Sequence, residues 1–173
     1  MPSLARELRQ VLDRTTVDAR RAAESAAKSA LSTLAVDRDK PFEDLSAADR
    51  TLRRALRAKE RQLGTYEELV SEVAYQHWHR MLFARFLAEN NLLMHPEVGV
   101  PVSLQEVADL AREQGESDAW VVAARYAANM LPAIFREGDP ELAMHFAPEG
   151  RKRLEVIVIK EMPRNRRTPF ALI

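Results

Sequence analysis

The sequence predicts an all-α fold, an irregular helical bundle of six or seven helices around a buried central helix at about 66–90. Three observations lead there. Apolar residues recur at helical spacing along most of the chain. Capping signals of the Ser/Thr-x-x-Glu/Asp type stand where those runs begin. The five glycines in 173 residues all fall at helix ends or in loops. A chain that is 46% hydrophobic and 30% charged is globular rather than disordered or fibrous, and long enough for one ordinary domain.

Taken in order, Ser3 can cap a long first helix. Its stripe is Leu4, Leu8, Val11 (or Leu12), Ala19, Ala22, Ala23, Ala26, Ala30, Leu31 and Leu34. The stripe is Ala-rich in the middle, which favours close packing on another helix. VDRDKPFEDL, residues 36–45, is a linker containing Pro41. SAAD at 46–49 is a capping-box variant opening a helix to about Leu63, with Gly64 as its stop. TYEE at 65–68 is a second capping box and opens the 66–90 helix, which Asn90-Asn91 can end. LLMHPEVGVPV, with Pro96 and Pro101, is a loop. SLQE at 103–106 is a third box, starting a short helix to about Gln114.

Ser117 or Asp118 caps the next helix, whose stripe is Trp120, Ala123, Ala124, Ala127, Leu131 and Ile134; Pro132 predicts a kink or break within it. Asp139-Pro140 reads as N-cap and N1 of a short helix. A last helix starts at Pro148 and ends before Pro163. Its LEVIVI core has strand propensity, but nothing else in the chain offers a strand partner, which favours helix. The expected organisation is an N-terminal helical arm at 1–35, a helical domain at 46–162 and a basic tail at 163–173.

Formal net charge is zero, but its distribution is uneven. Residues 1–64 carry 14 basic and 10 acidic groups, residues 65–146 carry 5 and 13, and residues 147–173 carry 7 and 3. This order suits either an anionic partner for the ends or pairing of the ends with the middle. The absence of cysteine excludes disulfides and thiol chemistry. The N-terminus has no apolar signal region and no stretch approaches about 18 apolar residues, so a cytoplasmic protein with no membrane partner is expected.

VAYQHWHRMLFARFLAEN, residues 73–90, invites a metal-site reading. At 100° per residue, however, His77 and His79 lie about 200° apart and cannot share one metal. Helical metal pairs need i, i+4 spacing. The apolar residues of this stretch cover nearly the whole circumference, as in a buried helix. Arg80 and Arg85 are expected to snorkel or to pair with acidic residues.

RTLRRALRAKER, residues 50–61, is the most site-like stretch. Arg50, Arg53, Arg54, Arg57 and Arg61 follow i, i+3, i+4, i+7, i+11 and form one basic face. Such a face can track DNA phosphates; the competing reading is a solvated face paired with the acidic middle region. A second basic cluster comprises Arg151, Lys152, Arg153, Lys160, Arg164, Arg166 and Arg167. No nucleophile elbow, Walker loop, dinucleotide fingerprint or HExxH motif is present. No catalytic, cofactor-binding or metal residue is assigned.

Two stretches carry a family resemblance: VAYQHWHRMLFARFLAENNLL and DAWVVAARYAANMLPAIFREGDPELAMHFAPEGRKRLEVIV. With the Arg-rich helical start before them, they resemble the N-terminal helical region of large adenine-specific DNA methyltransferases. These are the type IIG restriction-modification and BREX- and DISARM-like phage-defence enzymes. The resemblance covers roughly residues 65–160, and the first 64 residues only in character. It implies a role in DNA modification. In that family S-adenosylmethionine is bound by a separate Rossmann-like domain with a Gly-rich motif and an Asn-Pro-Pro-aromatic motif that holds the flipped adenine. This sequence has neither motif, so no catalytic residue carries over. The expectation is a non-catalytic N-terminal domain whose catalytic domain lies outside this segment. Its expected partners are that methyltransferase domain, double-stranded DNA and other defence-system subunits. The alternative is a helical protein–protein interaction or oligomerisation domain with no DNA contact.

Overall fold

The computed structural model of the chain describes residues 6–116, 118–130 and 138–161. Among the described residues there are six α-helices and no strand: α1 (Arg6–Thr33), α2 (Ala47–Leu63), α3 (Tyr66–Glu89), α4 (Leu104–Glu113), α5 (Ala119–Met130) and α6 (Pro148–Val156). A π-helical turn, Ile157–Glu161, extends α6. The chain is all-α, and the LEVIVI segment is helical.

The three capping signals form as hydrogen bonds. Ser46 Oγ accepts from the Asp49 amide at 3.1 Å. Thr65 Oγ1 accepts from the Glu68 amide, and Glu68 Oε2 accepts from the Thr65 amide, both at 3.1 Å. Ser103 and Glu106 make the same reciprocal pair at 3.2 and 2.7 Å. Each satisfies amide donors that the first helical turn leaves open. At the other ends, Gly64 stops α2 at φ 114°, and Asn91 follows α3 at φ 56°, a conformation Asn tolerates better than most residues.

Two segments differ from the sequence reading. Asp139-Pro140 opens a turn, not a helix: the Leu142 amide donates to Asp139 O at 3.0 Å and the chain then extends. Met144 and Phe146 are buried two residues apart, an extended-chain period, and Ala147 precedes a proline, which disfavours helical backbone there. The 92–102 loop is pinched by an isolated antiparallel bridge, Met94 to Pro101. Amides of His95 and Val102 donate to Val100 O and Leu93 O at 2.9 and 2.8 Å. The expectations at Ser3, Ser117, Leu131, Pro132, Ile134 and the 163–173 tail lie outside the described residues.

The described residues form two compact units, 6–78 with 138–161, and 79–130. The division falls within α3. Leu69, Val70, Val73 and Ala74 are buried in the first unit, and Ala84, Leu87 and Ala88 in the second. In the second unit α4 packs on α5, and Val107, Ala111, Val122, Ala123 and Ala127 join the α3 residues and Leu93 in one apolar cluster. His79 belongs to this unit; burial first, then the nearby Arg80 charge, lowers its pKa from 6.5.

In the first unit α1 is packed along much of its length. It packs on α6 and the π turn. Ala19, Ala22, Ala23, Ala26, Ala27 and Ala30 are buried, whereas Arg6, Glu7, Arg9, Gln10 and Val11 are exposed. The Ala stripe lets the two backbones approach closely, and Gly150 sits at the closest point. A Cβ added at Gly150 would lie 2.9 Å from Ala26 Cβ and 3.5 Å from Ala26 Cα. Neither is a flexible side-chain end, so the helices themselves must separate. Helix propensity alone favours Ala over Gly by about 1 kcal/mol, but overpacking costs about 1–3 kcal/mol. Gly150→Ala is therefore expected to lower the urea midpoint, with a net loss of about 1 kcal/mol; a rise would show that α1 and α6 are not packed this closely.

Candidate functional site

The 50–61 helix face is divided by its contacts. Arg53 is buried, with 7% exposure, and its guanidinium is consumed by the backbone of the preceding turn. Nε donates to Ala35 O at 2.9 Å, and Nη2 donates to Arg38 O and Asp39 O at 2.5 and 3.1 Å. Arg50 works the other end of the same segment, donating to Leu45 O and Glu43 O at 2.9 and 2.7 Å. Arg57 is half-buried; Nη1 donates to Arg38 O and Nη2 stands 3.6 Å from Asp39 Oδ1. Arg54 is exposed and meets only its own helix, at Thr51 Oγ1, 3.1 Å away, among the bonds resolved for it. Arg61 is exposed.

The residues expected to face phosphate therefore separate by role. Arg50 and Arg53 clasp the 35–45 segment. Arg54 and Arg61 face solvent. Arg57 does some of each. Periodicity placed all five on one face but could not say which would meet another part of the chain.

A second cluster was not foreseen. Glu141, 1% exposed, is held by Lys59 of α2, with Nζ 3.0 Å from Oε1. Glu141 Oε2 is buried with no hydrogen-bond partner among the described residues. The contact with Glu141 is the main cause that raises the Lys59 pKa above 10.5, with desolvation opposing it and the charges of Asp139 and Glu72 adding to it. His77 secures the same segment. Its Nε2 lies 3.0 Å from Glu141 O, and because a carbonyl only accepts, Nε2 carries the proton. The His77 ring stacks on Phe146 with centroids 4.1 Å apart. In sequence, Glu141 is one carboxylate among many. Its partners lie 64 and 82 positions away, so only tertiary structure reveals the pairing.

His77 and His79 serve different surroundings, His77 on Glu141 and Phe146 and His79 beside Phe83. Among the described residues no group of three or more His, Cys, Asp or Glu could hold a metal ion. Of the five glycines, Gly64 and Gly115 follow helices, Gly99 and Gly138 sit in turns, and Gly150 faces Ala26 inside α6. Among the described residues no helix is long and apolar enough to cross a membrane. No family model, no curated protein and no solved structure matches the chain.

The pairing of half-buried Lys59 with buried Glu141 makes a sharp prediction. Lys59→Met leaves the Glu141 charge buried without its cation, which costs about 3–5 kcal/mol. Adding Glu141→Gln should recover a large part of that loss. Because the folded Lys59 pKa is raised, the stabilisation is complete below pH 10.5 and is lost as pH rises through the folded value. Urea melts of wild type and both variants at pH 7 and pH 11 check this; equal stability of wild type and Lys59→Met at pH 7 would refute it.

Proposed function

We propose that this segment is the non-catalytic N-terminal helical domain of an adenine-specific (N6) DNA methyltransferase of a restriction-modification or phage-defence system. It supports the catalytic domain and touches the DNA backbone through Arg54, Arg57 and Arg61 of α2. The methyltransferase assignment is supported by the resemblance of residues 73–93 and 118–158 to that family's N-terminal region. S-adenosylmethionine belongs to the catalytic domain in this reading, and no residue here is assigned to it. The cytoplasm is the compartment that suits DNA modification.

The DNA contact is supported by one observation: Arg54, Arg57 and Arg61 share a face of α2, the outer two exposed and the middle one half-buried. Cations spaced along a helix attract a phosphate backbone without reading bases. A second reading, a helical protein–protein interaction or oligomerisation domain with no DNA contact, is favoured by the commitment of Arg50 and Arg53 to backbone carbonyls. That commitment leaves fewer cations free than the sequence promised.

Two measurements separate the readings. The source reading frame beyond Ile173 should encode a Gly-rich motif and an Asn-Pro-Pro-aromatic motif; a stop codon there would remove the methyltransferase assignment. Arg54→Ala/Arg61→Ala should weaken binding to a 20-base-pair duplex of arbitrary sequence. The salt slope should fall by about 1.8, roughly 0.9 for each phosphate that is no longer neutralised. Unchanged affinity and slope would leave the interaction-domain reading.

A further inference from the structure

We propose that Asp39 is a built-in competitor for the anion-binding face of α2, occupying Arg57 where a DNA phosphate would otherwise sit. This rests on the reading of that face as a phosphate contact. Arg54, Arg57 and Arg61 stand at i, i+3 and i+7, so they form a row along one side of the helix. The middle member is engaged from outside the helix. Arg57 Nη1 donates to the Arg38 carbonyl, which fixes the direction of the guanidinium. Its other arm, Nη2, lies 3.6 Å from Asp39 Oδ1.

The two contacts differ in how readily they exchange. The backbone carbonyl belongs to a turn that Arg53 clamps from beneath. The Asp39 carboxylate is fully exposed, so its ion pair sits in high dielectric and is screened by salt. A phosphate can replace it without disturbing the fold. Yet Asp39 cannot drift away, because its own carbonyl accepts from Arg53 Nη2 at 3.1 Å. A tethered competitor acts at high effective concentration. Its neighbours reinforce it: residues 37–44 contain four acidic and two basic side chains, a net charge of −2 on a segment lying against the arginine row. The clasp that orders the linker thereby also delivers an anion to the middle of the basic face. DNA engages three arginines only where it displaces Asp39.

Asp39→Asn tests this, since the side chain is exposed and its loss should leave the fold intact. Binding of a fluorescent 20-base-pair duplex is titrated in potassium chloride from 50 to 200 mM, using the full 173-residue chain. The comparison set is wild type, Asp39→Asn, Arg57→Met, the Asp39→Asn/Arg57→Met double variant, and Glu113→Gln, which removes an exposed charge in the other unit. Freeing Arg57 lets it neutralise one more phosphate. The salt slope of Asp39→Asn should rise by about 0.9, so the affinity gained at 50 mM over 200 mM grows by about 3.5-fold relative to wild type. In the Arg57→Met background Asp39→Asn should have no effect. An equal gain from Glu113→Gln, or a gain that persists with Arg57→Met, would reduce the effect to general charge and overturn the proposal. If wild type binds through Arg54 and Arg61 but Asp39→Asn matches it, the competitor alone is refuted. If neither wild type nor Asp39→Asn binds duplex, the DNA-contact reading fails and the competitor with it.

Discussion

The Arg53 guanidinium is the constraint on which the first half of the chain depends. The turn after α1 places Ala35 at φ 54°, a left-handed conformation that disfavours a residue with a Cβ by roughly 1–2 kcal/mol. Ala35 is also fully buried and its carbonyl needs a donor, while the carbonyls of Arg38 and Asp39 accept in part-buried bonds. One planar fork supplies all three. A lysine at the same place would offer a compact point charge and could not match that geometry. With the turn held, Arg50 and Arg57 fasten the rest of the segment to α2, and Arg38 lies 5.0 Å over the Phe42 ring. The linker between α1 and α2 is thus an ordered piece of the fold.

Charge is used inside this protein in two ways. At the α1–α2 turn, cations meet backbone oxygens and lose none of their charge to an acidic partner, except where Arg57 approaches Asp39. At the 138–147 segment, Lys59 meets a buried carboxylate, and His77 meets the carbonyl of the same residue. Both devices hold irregular backbone against α2 or α3, where no helical hydrogen-bond ladder can do so. The buried Glu141 with a single cation is costly to disturb from either side. The proposed phosphate contact occupies what these devices leave over. It lies on the side of α2 where Arg54 and Arg61 reach solvent.

Helices and their boundaries were legible because they rest on local rules. Ser46, Thr65 and Ser103 cap where the spacing of Asp49, Glu68 and Glu106 said they would, and Gly64 and Asn91 supply the left-handed stops. His77 and His79 meet different side chains, Phe146 and Phe83, as 100° per residue places them on different faces. What was not legible is tertiary. The Asp139-Pro140 pair has the local chemistry of a helix start, yet burial of Met144 and Phe146 draws the chain into an extended path. The arginine face looks uniform in one dimension, and only the fold of residues 35–45 back onto α2 separates Arg53 from Arg54. The Met94–Pro101 bridge is likewise a contact between two loop arms that no periodicity announces.

Hydrogen exchange at the Val36 amide, which donates to Leu31 O at 2.9 Å, tests the clamp most directly. Wild type and Arg53→Met would be compared at pH 7, with urea melts alongside. The account predicts a global stability loss of about 3 kcal/mol, because the Ala35 and Asp39 carbonyls lose their charged donor and the Arg38 carbonyl keeps only Arg57. It further predicts exchange at Val36 and Arg38 accelerated at least about tenfold beyond the amides of α4 and α5, as expected for local opening worth roughly 1.4 kcal/mol or more. Unchanged protection at Val36, with stability retained, would show that the turn holds itself and that Arg53 is free for another role.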